Sequence, residues 1–110
     1  MPEASSNTRR ARKAQPEIVA AGHAGRVMLI ETATGRLLWE KVLAEVPGAS
    51  ACDGEPVAVR LTDTCVLTGT MGHVFALALE DGSLLWHIDR RSRGAGATSL
   101  AVGSAPFRNG

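Results

Sequence analysis

At 110 residues the chain suits one ordinary domain, and a hydrophobic fraction of 45% is too high for wholesale disorder. Its net charge of +1 argues against a strongly electrostatic partner for the molecule as a whole. No apolar run approaches the ~20 residues a membrane helix needs, so a membrane-spanning role is not expected.

Residues 1–14 are rich in Ser, Thr, Arg and Ala without hydrophobic periodicity, and read as a disordered basic tail. Arg9, Arg10, Arg12 and Lys13 against Glu3 give this tail +3 and leave the rest of the chain at −2. The basic stretch has no apolar segment behind it, because Gln15, Pro16 and Glu17 interrupt at once; a cytoplasmic protein is therefore expected. From Glu17 onward short apolar runs alternate with Gly, Asp or Pro: "EIVAAG", "RVMLIE", "RLLWEKVL", "PVAVRL", "TCVLTG", "HVFALALE", "SLLWHID" and "TSLAVGS". Runs this short, rich in Val, Leu, Ile and Trp, are strand-like. The connectors "HAG", "TATG", "TMG" and "EDG" are hairpin-sized. In "HVFALALE" both alternating faces are apolar, so both must be covered.

An offset of 47 positions lays residues 17–40 over 64–87 without a gap. Identities fall at Val19/Val66, Gly22/Gly69, Gly25/Gly72, Val27/Val74, Gly35/Gly82, Leu37/Leu84, Leu38/Leu85 and Trp39/Trp86, the last pair being the only tryptophans. Eight matches in 24 far exceed the roughly 1 or 2 of unrelated sequences. The chain repeats one unit, over about residues 17–62 and again over 64–104, within a region of two blades at 15–110. Four short strands per unit, covered on both faces, describe a β-propeller blade. The expected fold is all-β: two four-stranded antiparallel blades, an incomplete propeller unless copies join. The first blade has three clear strands, at 17–22, 26–31 and 36–43, and lacks an inner one. The second has four, and "TSLAVGS" at 98–104 is a spare inner strand for another chain's blade.

The stretches "GRVMLIETATGRLLW" and "GHVFALALEDGSLLW" resemble the repeat of PQQ-like propellers, the quinoprotein-type tryptophan-docking repeat. That repeat runs Gly-x-hydrophobic-aromatic-Ala-Leu-Asp-x-x-Thr-Gly-x-x-x-Trp. The second copy supplies Phe75, Ala76, Leu77, Gly82 and Trp86, with Ala78 at the Asp position and Asp81 at the Thr position. The first supplies Ile30, Thr34, Gly35 and Trp39, with Leu29 for Ala and Glu31 for Asp. The resemblance implies that Gly35 and Gly82 close the last hairpin of each blade, and that Trp39 and Trp86 dock between blades. It implies no activity, because the fold hosts many functions.

Quinone dehydrogenases of this kind hold PQQ with Ca²⁺ ligands, a catalytic Asp and often an adjacent Cys-Cys pair. Here Cys52 and Cys65 are apart, Tyr is absent and no calcium cluster is recognisable, so no cofactor is expected. The cysteines read as free structural thiols. His23, His73 and His87 share no close ligand spacing and read as scattered surface histidines, with no metal expected. No nucleophile elbow or phosphate loop is present, so no catalytic residue is assigned; "GAG" at 94–96 reads as a flexible loop. "RRARK" at 9–13 and "RRSR" at 90–93 lack interleaved aromatics and read as a solvated tail and loop, so nucleic acid is not an expected partner.

A non-catalytic binding or scaffolding unit is thus expected, its partner either itself, as a ring-forming homo-oligomer, or another propeller protein. Four copies would give eight blades. The expected joint holds Trp86, Leu100 and Val102. The alternative is a fragment or remnant of a quinoprotein-type propeller enzyme.

Overall fold

Alternating apolar runs punctuated by glycine become seven strands in the computed structural model, which describes residues 17–91, 96 and 98–103. The first antiparallel sheet holds β1 (Ile18–His23), β2 (Arg26–Glu31) and β3 (Arg36–Val42), in that spatial order. The second holds β4 (Ala58–Leu61), β5 (Cys65–Thr70), β6 (His73–Ala78) and β7 (Leu84–Asp89), also in sequence order. The turns Ala24–Gly25 and Met71–Gly72 have positive φ at both residues, as the tightest hairpins require. The chain is all-β with two blade-like sheets, as its sequence implies, but the first sheet has three strands among the described residues rather than four. By the repeat, the missing inner strand corresponds to residues 11–14, outside the described residues.

Register decides which side chains meet. Across the first sheet, Ala20, Leu29 and Trp39 are opposed and share one face, while Val19, Ile30 and Leu37 share the other. The second sheet sends Val66, Leu77 and Leu84 to one face, and Gly69, Val74 and Ile88 to the other. A bulge between Leu29 and Ile30 in the β2–β3 ladder recurs between Ala76 and Leu77 in the β6–β7 ladder. Each bulge leaves one extra residue on the outer strand, Leu38 or Leu85, and so aims the tryptophan that follows it. The sheets stack through Val27 and Leu29 of the first and Val66, Phe75 and Leu77 of the second, all in one buried cluster. Each large apolar side chain so buried contributes about 1.5–3 kcal/mol.

The link between the sheets was not legible as an element. Leu43–Glu45 and Ser50–Cys52 are 3-10 turns. Amide N–H groups of Val46, Ala49, Cys52 and Glu55 donate to the carbonyls of Leu43, Val46, Ala49 and Cys52, so bonds of one span repeat along the link. With three residues per 3-10 turn, every third side chain aligns. Leu43, Val46, Ala49 and Cys52 are accordingly all buried and complete the core. An apolar residue at every third position was the available signal.

Residues 98–103 form no strand within this chain; the inner strand expected at 98–104 was one that would pair with another chain's blade. A strand is held by a ladder to a sheet edge. This segment lies instead across a sheet face, where a β-carbon added to Gly69 would come 2.5 Å from Thr98 Cγ2.

Candidate functional site

Each sheet presents the same local device. After β2, and again after β6, the chain turns through a glycine at positive φ, Gly35 (φ 76) or Gly82 (φ 77). The Gly35 amide donates to the Glu31 carbonyl, and the Gly82 amide to the Ala78 carbonyl, both at 2.8 Å. The next amide is caught by a side chain: Arg36 N–H by Thr34 Oγ1 at 3.1 Å, Ser83 N–H by Asp81 Oδ1 at 2.9 Å. Asp81 at the Thr position therefore fills the same turn-holding place. These bonds to the charged form hold the Asp81 carboxyl below its usual range.

Trp39, four residues beyond Gly35, reaches the second sheet. Its Nε1–H donates to the Leu79 carbonyl at 2.8 Å, and its ring lies over Gly82. A β-carbon added to Gly82 would come 2.6 Å from Trp39 Cε3. Around Gly35, the equivalent glycine, no atom of the described residues lies within 4 Å of such a β-carbon. Trp86, the equivalent tryptophan, is 45% exposed, and Ile88 on the same face is 47% exposed. Val19 is 44% exposed, whereas Val66, its counterpart one repeat later, is fully buried.

The residues expected at a joint divide. Leu100 lies partly buried near Gly69, and its carbonyl accepts from Arg60 Nε at 2.9 Å. Val102 is 52% exposed. The Arg-rich tail at 9–13 and most of the 90–96 loop lie outside the described residues. Arg91 within that loop is not simply solvated: it holds Asp89 through two bonds, at 3.0 and 2.8 Å. This pair draws the Asp89 carboxyl far below the ordinary carboxylate range.

His73 corrects the surface-histidine expectation. It is fully buried, its Nδ1 lies 2.8 Å from His87 Nε2, and its ring stacks with those of Phe75 and His87. Strand pairing joins residues 14 apart that no linear spacing suggested. One repeat earlier the same two positions hold Arg26 and Glu40, an exposed ion pair at 3.6 Å. The covered position thus carries two imidazole rings where the open one carries an ion pair, whose burial would be costly. His23 is exposed, as expected.

Burial pushes the His73 pKa down; Asp89 opposes this, while His87 and Arg91 reinforce it. A histidine whose folded pKa lies below its unfolded one takes up its proton more readily when unfolded. Stability is therefore complete above the unfolded value of about 6.5 and declines as pH falls below it. Melting temperature is expected to drop between pH 7.5 and 5.5, and His73→Phe, which keeps the stack, to flatten that slope. An unchanged slope in the variant would assign the effect elsewhere. Asp89 titrates too low to contribute in this window.

Cys52 and Cys65 are free, as expected, and burial raises the Cys52 pKa, which suits an inert thiol. Among the described residues no group of three or more His, Cys, Asp or Glu could hold a metal ion. No helix among them is long and apolar enough to cross a membrane. Among the described residues an open cleft is lined by Ile18, Leu38, Thr62, Asp63, Glu80 and Leu85.

A family model described as "Outer membrane protein assembly factor BamB" matches residues 2–109. The chain belongs to this family. Among solved structures it is similar to the crystal structure of BamB from Moraxella catarrhalis, a PQQ-like β-propeller, at a TM-score of 0.52 and 18% identity over 68% of this chain. At that identity the likeness to BamB is one of fold. The match covers 21% of the BamB chain, so this chain spans about a fifth of it. A search of curated proteins finds no match.

Proposed function

We propose that the chain is a protein-binding, scaffolding module made of PQQ-like propeller repeats, which works by docking blade on blade and joins copies of itself towards a ring. The observation that carries this reading is the unequal state of two equivalent tryptophans: Trp39 lies over Gly82, while Trp86 is 45% exposed. In this reading Gly35 and Gly82 shape the turns that receive a ring, Trp39 and Trp86 are the docking groups, and Leu100 and Val102 line the joint. Apolar faces of this kind are seldom left bare on stable monomers. Partners are other copies or a blade of another propeller protein, and four copies would complete eight blades, within the usual range of about 4–8. A family described by protein assembly supports a binding role over a catalytic one.

Sedimentation velocity across a wide concentration series tests the reading. A sedimentation coefficient that rises with concentration is expected; a monomer throughout would end the self-assembly reading. For the compartment we keep the cytoplasm, where the free thiols of Cys52 and Cys65 would stay reduced. Cell fractionation decides this point, and recovery with the periplasm would overturn it.

A further inference from the structure

We infer that the His73–His87 pair is an acid-sensitive latch: at neutral pH it fastens the end of β7 to β6, and on taking up protons it lets that end go. In the β6–β7 ladder His73 is opposed to Asp89, and Phe75 to His87, so the two histidines are diagonal neighbours on one face. His73 Nδ1 lies 2.8 Å from His87 Nε2, with the ring planes within 19° of each other. Phe75 stacks on His87, centroids 4.6 Å apart, and keeps that ring turned towards its partner. His73 is fully buried while His87 is half-buried, so the pair joins the core to the surface.

Counting protons shows why the latch is sensitive. A hydrogen bond between two imidazole nitrogens holds one proton, and both rings can then be neutral. The outer nitrogen of His73, Nε2, is buried and meets no hydrogen-bond partner among the described residues. Adding one proton to the neutral pair leaves a proton on Nε2, whichever ring carries the charge: a buried donor with nothing to receive it. Adding a second puts N–H groups on both facing nitrogens, and the bond between them is lost. Each step favours an open arrangement in which water receives these protons.

The surroundings do not hold an imidazolium in place. Asp89 is the carboxylate beside the pair, but Arg91 already binds both its oxygens, at 3.0 and 2.8 Å. The other charged or titratable groups around the pair are Arg91 itself, Lys41 on the face of the first sheet that carries Trp39, and Cys52 and Glu55 in the link. Only Glu55 adds an anion, and its influence falls on Cys52. The repeat also contains the same fastening without histidine. The Arg90 amide donates to the Gly72 carbonyl at 2.8 Å, and 47 residues earlier the Leu43 amide donates to the Gly25 carbonyl at 2.9 Å. Beside that earlier bond stand Arg26 and Glu40, whose charges do not change between pH 7.5 and 5.5. Letting go at the later bond bares the backbone groups at the start of β6, a stretch of sheet edge available in acid and not at neutral pH.

Hydrogen exchange of single amides in the intact chain, followed by NMR from pH 7.5 to 5.5 and corrected for intrinsic rates, reads the latch. Protection at Arg90 should fall about 10-fold, the factor given by one histidine that protonates only when open, at its ordinary pKa of about 6.5. Low urea should leave Arg90 exchange unchanged, because freeing a strand end exposes little surface. Leu43, fully buried in the core, reports unfolding of the whole chain. His73→Phe should make Arg90 protection independent of pH. The wild type gives a second answer that needs no variant: the coupling between His73 Nδ1 and His87 Nε2 across their bond should vanish at the midpoint of the Arg90 loss. Exchange at Arg90 that rises with urea in step with Leu43 is global unfolding and overturns the latch. A loss that persists in folded His73→Phe overturns it too, as does a pair still neutral and bonded at pH 5.5.

Discussion

Trp39→Ala is expected to lower the folding free energy by about 3–4 kcal/mol, and Trp86→Ala by less than about 1 kcal/mol. The two residues occupy the same place in the repeat, and the same atoms are removed. Trp39 loses packing over Gly82 and against the core, together with its hydrogen bond to the Leu79 carbonyl. That bond contributes about 1 kcal/mol of the total. Trp86 is 45% exposed and surrenders little when the chain is alone. Urea denaturation of dilute, monomeric protein measures both losses. Each variant also keeps a single tryptophan, so its fluorescence is unambiguous. Trp39 in Trp86→Ala should emit further to the blue than Trp86 in Trp39→Ala. Equal losses and equal emission would mean that the two rings share one environment.

Gly82→Ala is expected to cost about 2–4 kcal/mol and Gly35→Ala about 1 kcal/mol. Both glycines sit at positive φ, so a β-carbon strains both backbones alike. Only at Gly82 does that carbon also meet a wall, 2.6 Å from Cε3 and 2.8 Å from Cδ2 of Trp39. The ring is held through Nε1 and cannot withdraw without breaking its bond to Leu79. Denaturation midpoints of the two variants, compared at equal concentration, isolate the steric part as their difference. Removing the ring provides a second check: Gly82→Ala in a Trp39→Ala background should cost no more than Gly35→Ala alone. A large penalty persisting there would place the strain in the turn.

The tryptophan at a fixed distance from a glycine was plain in the sequence because the repeat is local and gapless. Glycine turns, alternating strands and a 47-residue offset each depend on residues near one another in the chain, and each led to the elements that form. Strand alternation also called for cover on both faces of the second sheet, since Val74 to Leu79 leave no polar side, yet Trp86 and Ile88 on its outer face are 45% and 47% exposed. The histidines and the linking segment were another matter. His73 is buried because antiparallel pairing sets it opposite Asp89 and beside His87, and no property of residue 73 alone announces that. Leu43 was expected at the end of a strand, and Val46, Ala49 and Cys52 were assigned to no element, because an interval of three matches neither strand nor α-helix; only the gap between two stacked sheets makes a 3-10 path the one that buries them.

The sequence by itself determined that the chain is built twice from one all-β unit, and where each unit turns, because those features are written in short-range spacing. Tertiary structure alone decided which of two identical motifs is satisfied. Trp39 has the second sheet in front of it and Trp86 does not, and burial belongs to the surface a side chain faces. The same holds for the pairs at equivalent positions, Arg26 with Glu40 in the open and His73 with His87 inside. Thr98 and Leu100 come to lie over Gly69, on the face of the second sheet turned away from the first, a contact between residues some thirty positions apart that only the folded chain shows.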